Sequence, residues 1–214
     1  MNTPSHRRNS ALGALALLLA ACGGEAPAPE SRLLVVDGIE IALTEVEPYI
    51  KFLADFMPNA GRKTRVQLVL DQYLLPLRLA QRAFPSQRAE QLARAEALCA
   101  IATNVAELEQ QAALLPPEMK DVRYLRRTQA RLPVAMFLFD QMLQGSVSRP
   151  IEVPSGYFVV GCLELRESQS ALDDHAKALQ IGFVTHTGTE WKQWLEAEHA
   201  RVADKVTFVH PDYR

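Results

Sequence analysis

An α+β fold, mainly helical with a small β-sheet, is what the sequence predicts, and three observations carry it. Long Leu/Ala-rich segments place apolar residues at alternating steps of three and four, the repeat of a helix with one buried face. Two short β-rich runs flank Asp37-Gly38, a dipeptide that supplies the positive φ angles of a tight hairpin. The third is residues 151–165, IEVPSGYFVVGCLEL, where Tyr157, Phe158, Val159 and Val160 follow a Pro154-Ser155-Gly156 turn. A strand cannot stand alone, because its N–H and C=O groups need partners, so this stretch must belong to a sheet.

In chain order, His6-Arg7-Arg8 precedes an uninterrupted small and apolar run from Ala11 to Ala21, which meets Cys22. Basic residues before a short apolar core describe a secretory leader over residues 1–21, too short to span a bilayer. Leu19-Ala20-Ala21-Cys22 resembles a bacterial lipobox, where the cysteine is lipidated and the preceding peptide removed. Cys22 is then the lipid anchor, and residues 22–32, rich in Pro and Ala, are an extended tether. Gly23 stands where an Asp would retain a lipoprotein at the inner membrane, so outer-membrane sorting, facing the periplasm, is expected.

Composition narrows the function classes. The 214 residues carry 23 Lys and Arg against 25 Asp and Glu, a net charge of −2, and no basic face for nucleic acid. After the leader no stretch approaches the about 18 consecutive apolar residues of a membrane span, which leaves the lipid as the membrane attachment. Cys99 and Cys162 can form a disulfide in an oxidising compartment, or stay as two buried thiols. No CxxC or Cys/His cluster appears, so no metal site is expected. Nor does any nucleophile elbow, phosphate loop or dinucleotide fingerprint, so no cofactor is expected.

Residues 33–42 form the predicted hairpin. Thr44 and Glu47 have capping-box spacing and start a helix running to about Met57, with Pro48 in its first turn. Arg62 to Phe84 reads as an apolar helix that Pro76 must kink or split. A third helix begins at Ser86; Leu98, Ile101, Val105, Leu108, Ala112 and Leu115 share its face, and Pro116-Pro117 ends it. Glu118 to about Leu143 reads as another helix, bent at Pro133. Its first half carries a solvated basic stripe of Lys120, Arg123, Arg126, Arg127 and Arg131, and its second half is apolar enough for core or a groove.

Beyond the 157–163 strand, residues 166–180 look helical. Thr187 and Glu190 form a second capping box before a helix that aligns Trp191, Trp194, Leu195 and Val202, and residues 206–210 are a short strand ended by Pro211. The hairpin and this last strand, each too short to be stable alone, are expected to share one sheet. Asp173-Asp174-His175 and Glu196-x-x-His199 hold metal-capable side chains, but surface helix residues explain both better than a di-metal bundle, which needs two such motifs.

Three pieces together resemble one family. VVDGIEIALTEVEPYI followed by VLDQYLLPLRLAQRA is similar to the N-terminal chaperone domain of SurA/PrsA-type periplasmic foldases. RPIEVPSGYFVVGCLELRE resembles the end of a parvulin prolyl-isomerase domain, and WKQWLEAEHARVADKVTFVHPDY its closing helix and strand. The resemblance implies a SurA-like helical region over 33–117, a truncated parvulin-like or linking region over 118–165, and a C-terminal region, 166–214, folded back on the N-terminal one. The 157–163 strand would be a parvulin remnant.

The departures matter as much. In the Gly-Tyr-His motif that the resemblance aligns with Gly156 and Tyr157, this chain has Phe158, and a phenyl ring cannot make imidazole's hydrogen bonds. Too little chain separates Pro117 from Tyr157 to hold the rest of a parvulin domain. The resemblance therefore implies a lipid-anchored chaperone without isomerase activity or catalytic residues. It would bind unfolded or exported polypeptides, or one dedicated envelope-assembly partner, in an apolar groove lined by Phe52, Phe56, Tyr73, Met136, Phe137 and Phe139. The alternatives are a divergent peptidyl-prolyl isomerase and a structural lipoprotein subunit of a secretion or polysaccharide-assembly system. The anchor is tested directly: Cys22→Ser is expected to abolish membrane fractionation and labelling by a palmitate analogue.

Overall fold

The computed structural model describes residues 32–140 and 144–213; the leader, Cys22 and most of the tether lie outside the described residues. Two antiparallel sheets organise the chain, which is mixed α+β with most of its regular structure helical. The first sheet has the order β2-β1-β7, from strands β1 (Arg32–Val36), β2 (Ile39–Ala42) and β7 (Val206–Phe208). Asp37 and Gly38 turn the hairpin with φ of 49° and 80°, as the dipeptide requires. The two ends of the chain share this sheet as expected, with Leu34 opposite Phe208 and Val36 opposite Val206.

Helix α1 (Leu43–Phe56) follows β2 directly. It starts just before the expected box: the Glu45 carboxylate accepts from the Ala42 N–H at 2.9 Å, and Thr44 lies inside the first turn. Pro76 splits the next helix as predicted. α2 (Arg62–Val69) passes through a π-helical turn at Leu70–Leu74 into α3 (Leu75–Ala83), a wider register that absorbs the donor proline lacks. The predicted third helix is two. α4 (Pro85–Ile101) ends, Asn104 accepts from the Glu107 N–H to cap α5 (Val105–Leu114), and Ile101 is left exposed.

The predicted helices over 118–131 and 166–180 are not formed. In their place are strands β3 (Lys120–Arg126) and β6 (His175–Val184) of a second sheet, order β3-β6-β5-β4, with β4 (Ile151–Val153) and β5 (Gly156–Arg166). The arginine spacing over 123–131 imitates a helix face, but of β3 only Leu125 is buried, and charged residues on an edge strand discourage edge-to-edge pairing. β4 and β6 flank β5, which supplies the partners its backbone needs.

That position explains why residues 157–162 are apolar without alternation: both faces are covered. Tyr157 and Val159 face α4 and α5 in a cluster with Leu98, Leu108, Leu179 and Ile181. Phe158, Val160 and Cys162 face helix α6 (Leu132–Asp140) with Val134, Leu138 and Ala178. Of the two alternatives for Cys99 and Cys162, the structure has the free thiols and not the disulfide. Cys162 points to the α6 side, whereas Cys99 packs in the cluster on the α4 side.

α6 divides its own faces in the same way. Val134 and Leu138 pack on the second sheet, while Ala135, Met136 and Phe139 pack on the N-terminal core of Val46, Phe52, Phe56, Leu70 and Leu79. Helix α7 (Gly188–Val202), capped by the Thr187/Glu190 box, carries Trp194 against that core and leads into β7. Asp37 ties these ends together, pairing with Arg82 at 2.8 Å, Arg201 at 2.7 Å and Lys205 at 3.3 Å.

The Arg201 hydrogen bond, followed by those of Arg82 and Lys205, holds the Asp37 carboxyl well below the usual carboxylate range. A pKa depressed on folding adds stability that is present above the unfolded pKa of about 4 and lost as pH falls below it. Asp37→Asn, which the left-handed turn tolerates, is expected to lower the melting temperature at pH 7. It should also flatten the decline of stability below about pH 4, as followed by circular dichroism.

Candidate functional site

A cleft of about 270 Å³ opens on the α6 side of the second sheet, next to the residue preceding that helix. Register places its floor. Phe158 on β5 lies opposite Gly182 on β6, and Gln180, two residues back, projects from the same face. Asp121 on β3 lies opposite Gln180. Arg131, Ser155, His186 and Trp191 line the rest, from the start of α6, the β4–β5 turn and the approach to α7. A second cleft of about 350 Å³, lined by Tyr73, Pro76, Pro133 and Leu195, shares Arg131, Ser155 and Trp191, so the two form one groove past the N-terminal half of α7.

Gly182 is what lets the floor lie flat. A Cβ there would sit 3.2 Å from Phe158 Cε1 and Cζ. The ring cannot easily yield, because the Arg131 guanidinium stacks over it at 4.5 Å from the centroid. Packing around Arg131 lowers its pKa, the neighbouring Arg123 lowers it further, and Asp121 opposes both. Asp121 is itself paired with Arg123 at 2.8 Å.

Two cleft groups are under-satisfied. Gln180 is 3% exposed and its Nε2 has no hydrogen-bond partner among the described residues. An orphaned buried amide costs about 1–3 kcal/mol, which a ligand acceptor would relieve. His186 Nδ1 is buried and also unpartnered, with the ring against Phe84 at 4.3 Å, the first contact of a cluster that continues to Trp194 and Trp191.

Gly156, Tyr157 and Phe158 therefore do different work. Gly156 approaches β6 so closely that a Cβ would meet the Phe183 carbonyl oxygen at 2.2 Å. Tyr157 points away from the cleft; its hydroxyl donates to Glu152 at 3.2 Å and Arg88 stacks on its ring. Phe158 alone reaches the cleft.

The six residues expected to line an apolar groove do not gather into one. Phe52, Phe56 and Tyr73 are buried at 3%, 6% and 6% exposure. Phe139 packs against the same core and, with Phe52 and Phe56, surrounds the Arg127 guanidinium at 5.1, 5.5 and 5.7 Å. Tyr73 touches the shared groove only at its edge, and Met136 and Phe137 border a separate shallow hollow with Tyr49 and Ile151. Apolarity marked these positions, but here it serves the core.

Neither thiol is poised as a nucleophile, since burial pushes the Cys99 and Cys162 pKa values up. Asp173-Asp174-His175 is not on a helix; Asp174 is buried, pairs with Arg127 at 2.9 Å and accepts from the Ser168 N–H. Glu196 is exposed on α7, and no cluster of three His, Cys, Asp or Glu occurs among the described residues.

Sequence reasoning missed Arg131, Gln180 and His186 as neighbours, because it assigned helices to both segments that form β3 and β6. The signal was there in HAKALQIGFV, a β-rich run with one glutamine in its apolar centre. Gly182→Val is expected to push on Phe158 and cost about 1–3 kcal/mol, seen as a lower urea midpoint with unchanged slope. No protein-family profile, curated protein or solved structure matches the chain.

Proposed function

We propose that this is a lipid-anchored, polypeptide-binding protein of the bacterial envelope, related to SurA/PrsA-type foldases and without prolyl isomerase activity. The observation that carries the reading is the cleft floored by Phe158. It occupies the position where the resemblance would put a catalytic imidazole, and it presents an aromatic ring, a stacked guanidinium and an unpaired buried amide. Those groups suit an extended peptide: the amide meets a main-chain carbonyl, while Phe158, Trp191 and Leu195 cover apolar side chains along the groove. The pairing of the Asp37-Gly38 hairpin with the C-terminal strand supports the same reading, because the resemblance implies a closing element there.

A divergent isomerase is the second reading, and His186 on the rim favours it. Catalysis would need groups that stabilise the twisted amide over the planar one, against a barrier of roughly 20 kcal/mol. A ring that neither donates nor accepts supplies none. The protein is expected to suppress aggregation of an unfolded client and to leave a proline-limited refolding rate unchanged. A rate increase lost in His186→Ala would establish the isomerase instead. A single co-purifying partner, with no effect on unfolded clients, would point to an assembly subunit.

A further inference from the structure

The groups that the cleft leaves unpartnered specify the ligand more narrowly than an apolar groove would. Among the described residues Arg131 has no ion-pair partner, and Asp121, which acts on it from further away, is already engaged by Arg123. Gln180 sits on the same floor with its Nε2 buried and unpaired. A guanidinium offers two parallel N–H groups matched to the two oxygens of a carboxylate. The rim also holds Glu118 and Asp121, which disfavour a dianion such as phosphate while tolerating a single negative charge beside Arg123 and Arg131.

We propose that the cleft takes a carboxylate carried on an extended polypeptide, with Arg131 as its ion-pair partner and Gln180 Nε2 as its buried hydrogen-bond donor. This rests on the polypeptide-binding reading above. Phe158 fixes the guanidinium in place from below, so its orientation is set before the ligand arrives. The carboxylate comes from an acidic side chain or from the chain terminus.

The test is fluorescence anisotropy with labelled, unstructured peptides of one sequence. They carry Glu, Gln or phosphoserine at the centre, each with a free or an amidated C-terminus. Wild-type protein at low salt is expected to bind one carboxylate form about tenfold tighter than its neutral counterpart. Dependence on Glu assigns the side chain, and dependence on the free terminus assigns the chain end. Arg131→Gln should abolish the preference while keeping the neutral peptide's affinity, Arg131→Lys should retain part of it, and Gln180→Leu should weaken the carboxylate peptide selectively. Circular dichroism melts establish that each variant is folded. Equal binding of all peptides, a preference that survives in Arg131→Gln, or tighter binding of phosphoserine would overturn the carboxylate site and leave the polypeptide-binding reading standing. No binding of any peptide would overturn both.

Discussion

A guanidinium taken out of water must be given an anion and a polarizable surface, and the layering of this protein depends on Arg127 having both. Its side chain, only 10% exposed, leaves the end of β3, pairs with Asp174 before β6, and enters a box of Phe52 and Phe56 from α1 and Phe139 from α6. One cation thus joins the second sheet to the helical core. Arg88 does the same at the other end of that sheet, reaching from α4 to Glu152 and to the carbonyls of Val153 and Pro154. Buried pairs of this kind contribute little net stability beside an apolar replacement of equal shape. Breaking one partner away is costly, so they act on register more than on the total.

Helix α6 is apolar on nearly every side because it has a core on either hand. Its start positions Arg131 over Phe158, so the geometry of the cleft is inherited from the packing of the layers. The site forms beside the start of α6, where two central strands present a phenylalanine, a glutamine and a glycine.

Local chemistry and the pairing of the chain's two short β segments were legible in the sequence, and the second sheet was not. The Asp37-Gly38 turn, the break at Pro76, the Thr187 box and the alliance of the hairpin with residues 206–208 each rest on a few neighbouring residues or on one unpaired strand needing a partner. β3 and β6 failed because helix and strand differ by period, and neither segment has a clean one. A central strand covered on both faces loses its alternation, and an edge strand dressed in arginine hides its own. With β6 unseen, Gln180 had no reason to be placed beside Phe158. The aromatic residues at 52, 56 and 139 were recognised as important, but the buried arginine that explains their number was read as a solvated charge.

The first strand finds its second neighbour in β7, near the far end of the chain. A polypeptide made from its N-terminus therefore presents β1 with one edge open until residues 206–208 emerge. Closing that edge carries the whole intervening chain as a loop, an entropic burden that grows only slowly with length but delays the event. Throughout that interval the open edge is a template for any passing strand. Asp37 stands at the tip of the same hairpin, and its attraction for Arg201 and Lys205 favours the chain's own last strand over a stranger's. Completion of the first sheet thereby waits for residues 206–208, and a product truncated before them would be left with its adhesive edge uncovered.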